Sequence, residues 1–89
     1  MRERWYGATG HRVPELALEG ALDTTGALVL DDAEDEARLR EAHEAGTPVV
    51  VRAATPDAVR RALARPEVAC VLVPYEDLLQ LDLTALTYG

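Results

Sequence analysis

Three short apolar runs, set at nearly equal intervals along the chain, constrain its fold more than any other feature. They are residues 27–30, 48–51 and 68–73, and the last two are rich in valine. Runs of this length between turn-forming residues are typical of β-strands. Because the runs are continuously apolar rather than alternating, we expect strands that are buried on both faces, as in a parallel sheet.

Each interval between the runs has the pattern of a helix. Residues 33–45 begin in an acidic turn, which complements the helix dipole, and end before a glycine. Residues 56–65 follow Thr55, a favoured N-cap, and stop before Pro66. Strands that alternate with helices imply right-handed crossovers. We therefore predict one α/β domain over residues 1–89, a small three-layer, Rossmann-like fold with a mostly parallel sheet of about four strands.

The two ends of the chain fit more than one structure. Residues 2–6 are consistent with a short edge strand. Residues 15–22 fit a helix, which we favour because Pro14 stands near its start, or a strand, because its leucines keep even spacing. Residues 78–86 fit either a helical turn or a strand with leucines on one face.

Composition excludes several classes of function. Sixteen acidic residues oppose nine basic ones, a net charge of −7, and every basic residue is arginine. The chain contains no serine or lysine, so a serine nucleophile, a Schiff-base lysine and a P-loop lysine are excluded. An acidic chain is poorly suited to phosphate backbones. No signal-peptide pattern and no long apolar run is present. We expect a cytoplasmic protein that binds neither nucleic acid nor membrane.

Few individual residues suggest catalysis or metal binding. The single cysteine, Cys70, lies inside an apolar run and is expected to be a buried, inert thiol. His11 and His43 are far apart in sequence, and no zinc-ligand spacing is present. Asp31 and Asp32 end a predicted strand, where acids usually cap the following helix and less often bind a metal ion. We predict no catalytic residue and no metal site.

One short motif points to a ligand. Gly7-Ala8-Thr9-Gly10-His11 follows the predicted first strand and precedes the predicted helix at 15–22. Such a loop can direct backbone N–H groups and a helix N-terminus at a phosphate group. The same residues also fit an ordinary turn. Gly7, Thr9, Gly10 and His11 are therefore candidate cofactor-binding residues.

This loop, the strand ending at Asp31 and the helix start at residues 55–59 together resemble the first half of NmrA-like, atypical short-chain dehydrogenases. The resemblance implies that the loop holds the pyrophosphate of a dinucleotide. It also implies that Asp31 accepts a hydrogen bond from the ribose 2′-hydroxyl, which favours NAD over NADP. The chain departs from the family at Val13, which stands where the pattern has its third glycine, and it lacks the second half of the family's fold.

Two functional hypotheses follow. The first is a non-catalytic interaction, oligomerisation or regulatory module, which forms a homo-oligomer or binds a protein partner. Small size, exposed sheet edges and the absence of catalytic groups favour it. The acidic stretch at residues 31–44 fits a solvated helix face or a surface for a basic partner, and the aromatic residues near both ends of the chain fit a cover for the sheet edges or a contact surface. The alternative is a dinucleotide-binding unit, alone or completed by a partner, with NAD as its cofactor. We favour the first hypothesis.

Overall fold

The computed structural model describes residues 3–80, and its centre is a parallel sheet of four strands. The elements are β1 Glu3–Trp5, β2 Arg12–Pro14, β3 Leu16–Leu18, β4 Leu28–Leu30, α1 Glu36–Glu44, β5 Val49–Arg52, α2 Pro56–Leu63, β6 Val68–Val73 and a 3₁₀ helix at Glu76–Gln80. The strands of the sheet lie in the order β3-β6-β5-β4, and every neighbouring pair is parallel. The predicted α/β fold with a parallel four-stranded sheet is confirmed.

The three apolar runs form the strands predicted for them, to within one residue at each end. The first starts at Leu28 rather than at residue 27, the second is shifted by one residue to Val49–Arg52, and the third matches residues 68–73. All six residues of β6 are buried, and so are three of the four in β5. These two central strands are therefore buried on both faces, as their continuous apolar sequence predicts.

The two helices begin where side chains cap them. Thr55 Oγ1 accepts a hydrogen bond from the Ala58 N–H at 3.1 Å, which confirms Thr55 as the N-cap of α2. The start predicted for α1 at residue 33 is wrong. Asp32 accepts from the Glu34 N–H and closes a turn there, and Asp35 is the N-cap, accepting from the Arg38 N–H at 3.1 Å.

Both helices lie on one face of the sheet. The connections β4-α1-β5 and β5-α2-β6 step along the sheet in the same direction, so right-handed crossovers place both helices on the same side. Their buried residues pack against that face of β5 and β6. The core on this side includes Leu39, Val49, Val51, Val59, Leu63, Val68, Val71 and Val73, with Leu78 of the 3₁₀ helix.

A hairpin and a long connection cover the opposite face. The hairpin consists of β1 and β2, and its Tyr6 and Val13 pack against Val50, Cys70 and Leu72. The connection, residues 19–27, runs from β3 at one edge of the sheet to β4 at the other. Because it steps back across the sheet, a right-handed crossover places it opposite the helices.

The helix favoured for residues 15–22 is wrong, and the alternative strand is observed. β3 pairs with β6, with Leu16 opposite Val71 and Leu18 opposite Val73. The evenly spaced leucines fit this strand because β6 offers a buried neighbour, and tertiary pairing outweighs local helix preference. The edge strand expected at residues 2–6 is a strand, but it pairs with β2 outside the main sheet. Of the ambiguous segment 78–86, residues 78–80 are helical, and the rest lies outside the described residues.

Candidate functional site

The glycine loop is the turn of the hairpin. The Tyr6 N–H donates to the His11 carbonyl at 2.8 Å, and Thr9 Oγ1 donates to the Tyr6 carbonyl at 2.7 Å. Gly7 and Gly10 both have positive φ, 56° and 81°, which suits a tight reversal of the chain. The next element is the strand β2 and not a helix. The sequence-based expectation of a helix N-terminus beside this loop is therefore wrong.

The loop docks against the segment that joins α1 to β5. The Ala8 N–H donates to the Gly46 carbonyl at 2.9 Å. A Cβ on Gly7 would lie 2.5 Å from that same oxygen and 2.7 Å from the nitrogen of Pro48, so only glycine fits this contact. Since Pro48 directly precedes β5, the loop lies at the amino end of the sheet.

Asp31 lies at the other end. It directly follows β4, whose last residue, Leu30, is opposite Val51 near the end of β5. The four residues of β5 span about 13 Å at the rise of an extended strand. The structure therefore brings Gly7, Thr9, Gly10 and His11 together in one turn, but it does not bring Asp31 to them.

The carboxyl end of the sheet carries paired charges around a shallow cavity of about 180 Å³, which Asp31 helps to line. Arg52 donates to Glu19 at 3.1 Å. Asp57 accepts a hydrogen bond from Arg60 at 2.7 Å and forms an ion pair with Arg61 at 2.9 Å. The hydrogen bond from Arg60 lowers the pKa of Asp57. The Arg61 and Arg60 charges act in the same direction, and partial desolvation opposes them. The two arginines that line this cavity, Arg52 and Arg61, are therefore already paired with carboxylates.

Among residues 3–80, no group of three or more histidine, cysteine, aspartate or glutamate side chains is arranged to hold a metal ion. The same part of the chain contains no helix that is both long and apolar enough to cross a membrane. Cys70 is fully buried, and desolvation raises the pKa of its thiol to about 12. A nucleophilic cysteine needs a thiolate near neutral pH, so this thiol is inert.

The amino end of the sheet holds a cavity of about 590 Å³, which we call the amino-end groove. Its walls come from four segments of the chain: β1, the turn residues Gly7 and Ala8, the end of α1 with residues 46–47, and residues 66–67 after α2. Strands of a parallel sheet begin where the preceding helices end. The groove is therefore bordered by the C-terminal ends of both helices, where carbonyl groups give a partial negative charge.

Trp5 is the dominant side chain of the groove. It is 58% exposed, unusually open for so large an apolar residue. The guanidinium carbon of Arg12, its partner across the hairpin, lies 4.6 Å from the centre of the indole ring, which is a cation–π contact. Arg12 therefore stacks on the indole of Trp5, a residue that lines the groove.

Arg4 anchors the hairpin beneath the groove. Its Nε donates to Glu15 at 3.1 Å, and its terminal nitrogens donate to the backbone carbonyls of Leu63, Arg65 and Val68 at 2.7 to 3.1 Å. Two of these carbonyls lie at the end of α2, where helical carbonyls lack intrahelical partners: Leu63 is the last residue of the helix, and Arg65 follows it by two residues. One side chain therefore joins β1 to the end of α2 and to the start of β6.

The sequence analysis missed this groove because it placed the first strand in the main sheet. The signal for a hairpin was present: two short extended segments separated by a glycine-containing turn of five residues. Recognising it would have placed Trp5 and Arg12 opposite each other. The contributions of His43 and Pro66 depend on helix ends that lie far from β1 in sequence, and local patterns do not reveal them.

Comparisons with known proteins find no match, so a functional conclusion rests on this geometry. A scan against protein-family models finds no match, and the same holds for the curated proteins and for the solved structures. The NmrA-like resemblance, the NAD hypothesis and the interaction-module hypothesis therefore stay predictions from the sequence.

Proposed function

We propose that this chain is a cytoplasmic, non-catalytic protein-interaction module, and that the amino-end groove is its contact surface. The observation that carries the proposal is the exposed indole of Trp5, which lines a cavity of about 590 Å³. Tryptophan is enriched where proteins bind one another, because it buries a large apolar area while its N–H remains available for a hydrogen bond.

The residues of the groove favour binding over catalysis. They include one histidine, His43, which is exposed on the last turn of α1, and two carboxylates, Glu3 and Glu67. The chain has no serine or lysine to serve as a nucleophile, and its single thiol is buried on the opposite side of β6 from the helices. A groove of this size is large enough to receive side chains of a partner.

Selection from a displayed library of random peptides tests the proposal. We expect the wild-type chain to enrich peptides whose binding is lost when Trp5→Ala is substituted. Tyr75→Ala is the matched control, because Tyr75 is a similarly exposed aromatic residue, at 64%, placed after β6 at the opposite end of the sheet. Peptides that bind the two variants equally well would refute the groove as the contact surface.

We further propose that the chain self-associates through the edge of β4 that no other strand within residues 3–80 pairs with. The Leu28 N–H bonds to the Pro48 carbonyl, and in a parallel ladder alternate residues bond to the same neighbour. The backbone groups of Val29 therefore point away from β5, and an unpaired edge favours pairing with another chain.

Sedimentation equilibrium at tens of micromolar tests self-association. We expect a dimer for the wild-type chain and a monomer for Val29→Pro, because proline removes an outward N–H and is tolerated on an edge strand. A monomeric wild-type chain would refute this contact and leave the groove proposal untouched.

A further inference from the structure

We infer that the amino-end groove binds a basic segment of a protein partner, with an arginine or lysine side chain against Trp5. The inference rests on the proposed function and names the chemistry of the ligand for the same site. It follows from the charges around the groove, from the contact that Trp5 already makes, and from the charge of the whole chain.

The carboxylates of the groove stand on two sides of it. Glu3 is exposed and lies two residues before Trp5 on β1, so the two side chains share one face of that strand. Glu67 is half-buried in the segment between α2 and β6. The C-terminal end of α1 adds partial negative charge nearby, whereas the carbonyls at the end of α2 already accept hydrogen bonds from Arg4. A cation in the groove would therefore meet favourable potential from several directions.

Arg4, the arginine in the wall of the groove, does little to oppose this potential. Its guanidinium is hydrogen-bonded to Glu15 and to three backbone carbonyls, so its charge is balanced by an adjacent carboxylate and by peptide dipoles. The same contacts hold it against the protein rather than in the groove.

Trp5 already accepts a cation. The guanidinium of Arg12 lies over its ring, 4.6 Å from the centroid, which shows that a flat cation fits against this indole in its observed orientation. An indole has two faces, and its exposed fraction leaves room for a second group from outside. Arginine or lysine of a partner would combine cation–π attraction with the nearby carboxylates.

The charge of the chain favours the same class of partner. With a net charge of −7, the chain attracts basic segments at long range and repels acidic ones. Complementary charge increases the rate of association and improves selection among partners more than it increases affinity. We therefore expect modest affinity that decreases as salt is added.

The test uses three capped pentapeptides of sequence Gly-X-Gly-X-Gly, where X is arginine, citrulline or glutamate. Citrulline keeps the shape of arginine without its charge. Trp5 is the only tryptophan of the chain, so its fluorescence reports binding at the groove directly. We expect the arginine peptide to change the fluorescence saturably, and the citrulline and glutamate peptides to bind much more weakly.

Charge-removing variants locate the binding. We expect Glu3→Gln and Glu67→Gln each to lower the affinity for the arginine peptide by about two- to fivefold, as for the loss of an exposed charge pair. Arg12→Ala should strengthen binding, because it removes a competing cation from the ring. Asp77→Asn, a change in the 3₁₀ helix after β6, should have no effect.

Equal binding of the arginine and citrulline peptides, or unchanged affinity in both glutamate variants, would overturn the inference. Failure here is distinguishable from failure of the proposed function. If the peptide library yields neutral or apolar ligands that still require Trp5, the groove is a protein-binding site of another chemistry. If it yields no Trp5-dependent ligand, both proposals fall.

Discussion

Arg4 and Glu15 form a partly buried ion pair that joins the hairpin to the body of the domain. The two side chains meet at 3.1 Å, and that of Glu15 is 1% exposed. One oxygen of Glu15, Oε1, is buried without a hydrogen-bond partner in the described part of the chain. The buried carboxylate of Glu15 is stabilised by the charge of Arg4. Arg4 also donates a hydrogen bond to the carbonyl of Leu63 at the end of α2.

Removing only one member of this pair is expected to be costly. Arg4→Met would leave the Glu15 carboxylate buried and uncompensated, and we expect it to lower the free energy of unfolding by about 3–5 kcal/mol. The double variant Arg4→Met/Glu15→Leu should recover most of that loss, because no charge is left buried. Urea denaturation measures both. A double variant as unstable as the single one would show that the carbonyl contacts matter more than the ion pair.

The cap of α2 gives a second prediction. Thr55→Ala removes the acceptor of the Ala58 N–H and should lower the free energy of unfolding by about 1 kcal/mol. Thr55→Ser keeps the hydroxyl and is the matched control, expected to stay close to wild type. Peptide binding at the groove should not change in either variant, because Thr55 lies at the carboxyl end of the sheet. An unchanged denaturation midpoint for Thr55→Ala would contradict the role of the cap.

Burial of Cys70 makes the stability of the domain depend on alkaline pH. The pKa of the thiol rises from an ordinary 9.0 to about 12 on folding. Below pH 9 the thiol is protonated in both states, so it adds no pH dependence. Above pH 9 the unfolded chain loses this proton and the folded chain keeps it, so the free energy of unfolding should fall by up to about 1.4 kcal/mol per pH unit.

The control for this effect is Cys70→Ala, which removes the titrating group. Its urea midpoint should change less than that of the wild type between pH 9 and pH 10. Tyr6 also lowers the free energy of unfolding as the pH rises, but at higher pH than Cys70. Burial, followed by the charges of Asp23 and Cys70, raises the pKa of its phenol above 10.0. Parallel pH profiles for wild type and Cys70→Ala would refute the assignment.

The sequence predicts the central sheet better than it predicts the candidate site, and the reason is physical. β5 and β6 are buried on both faces, so their continuous valine-rich sequences admit one interpretation. β1 to β3 are three residues each, too short for a periodic pattern to distinguish strand from helix. Their structure depends on β6 and on the hairpin turn, which local sequence does not specify.

The separation of Asp31 from the glycine loop makes a prediction about NAD. The dinucleotide hypothesis requires both parts to contact one ligand, with NAD preferred over NADP through Asp31. With the two parts at opposite ends of β5, we expect calorimetry with millimolar NAD to give no heat of binding. If heat is observed, the Asp31→Ala variant shows whether Asp31 contacts the ligand. A loss of the preference for NAD over NADP in this variant would mean that the ligand reaches both ends of the sheet.

The two glycines of the hairpin turn are expected to differ in what they contribute to the fold. Both have positive φ, so alanine at either position costs about 1 kcal/mol in backbone strain. A Cβ on Gly10 meets no atom within 4 Å, whereas one on Gly7 collides with the backbone of Gly46 and Pro48. We expect Gly7→Ala to lose a further 1–3 kcal/mol, roughly, from overpacking. Thermal denaturation of the two variants separates the cost of backbone strain from the cost of overpacking. Equal melting temperatures would mean that the loop does not dock on the start of β5.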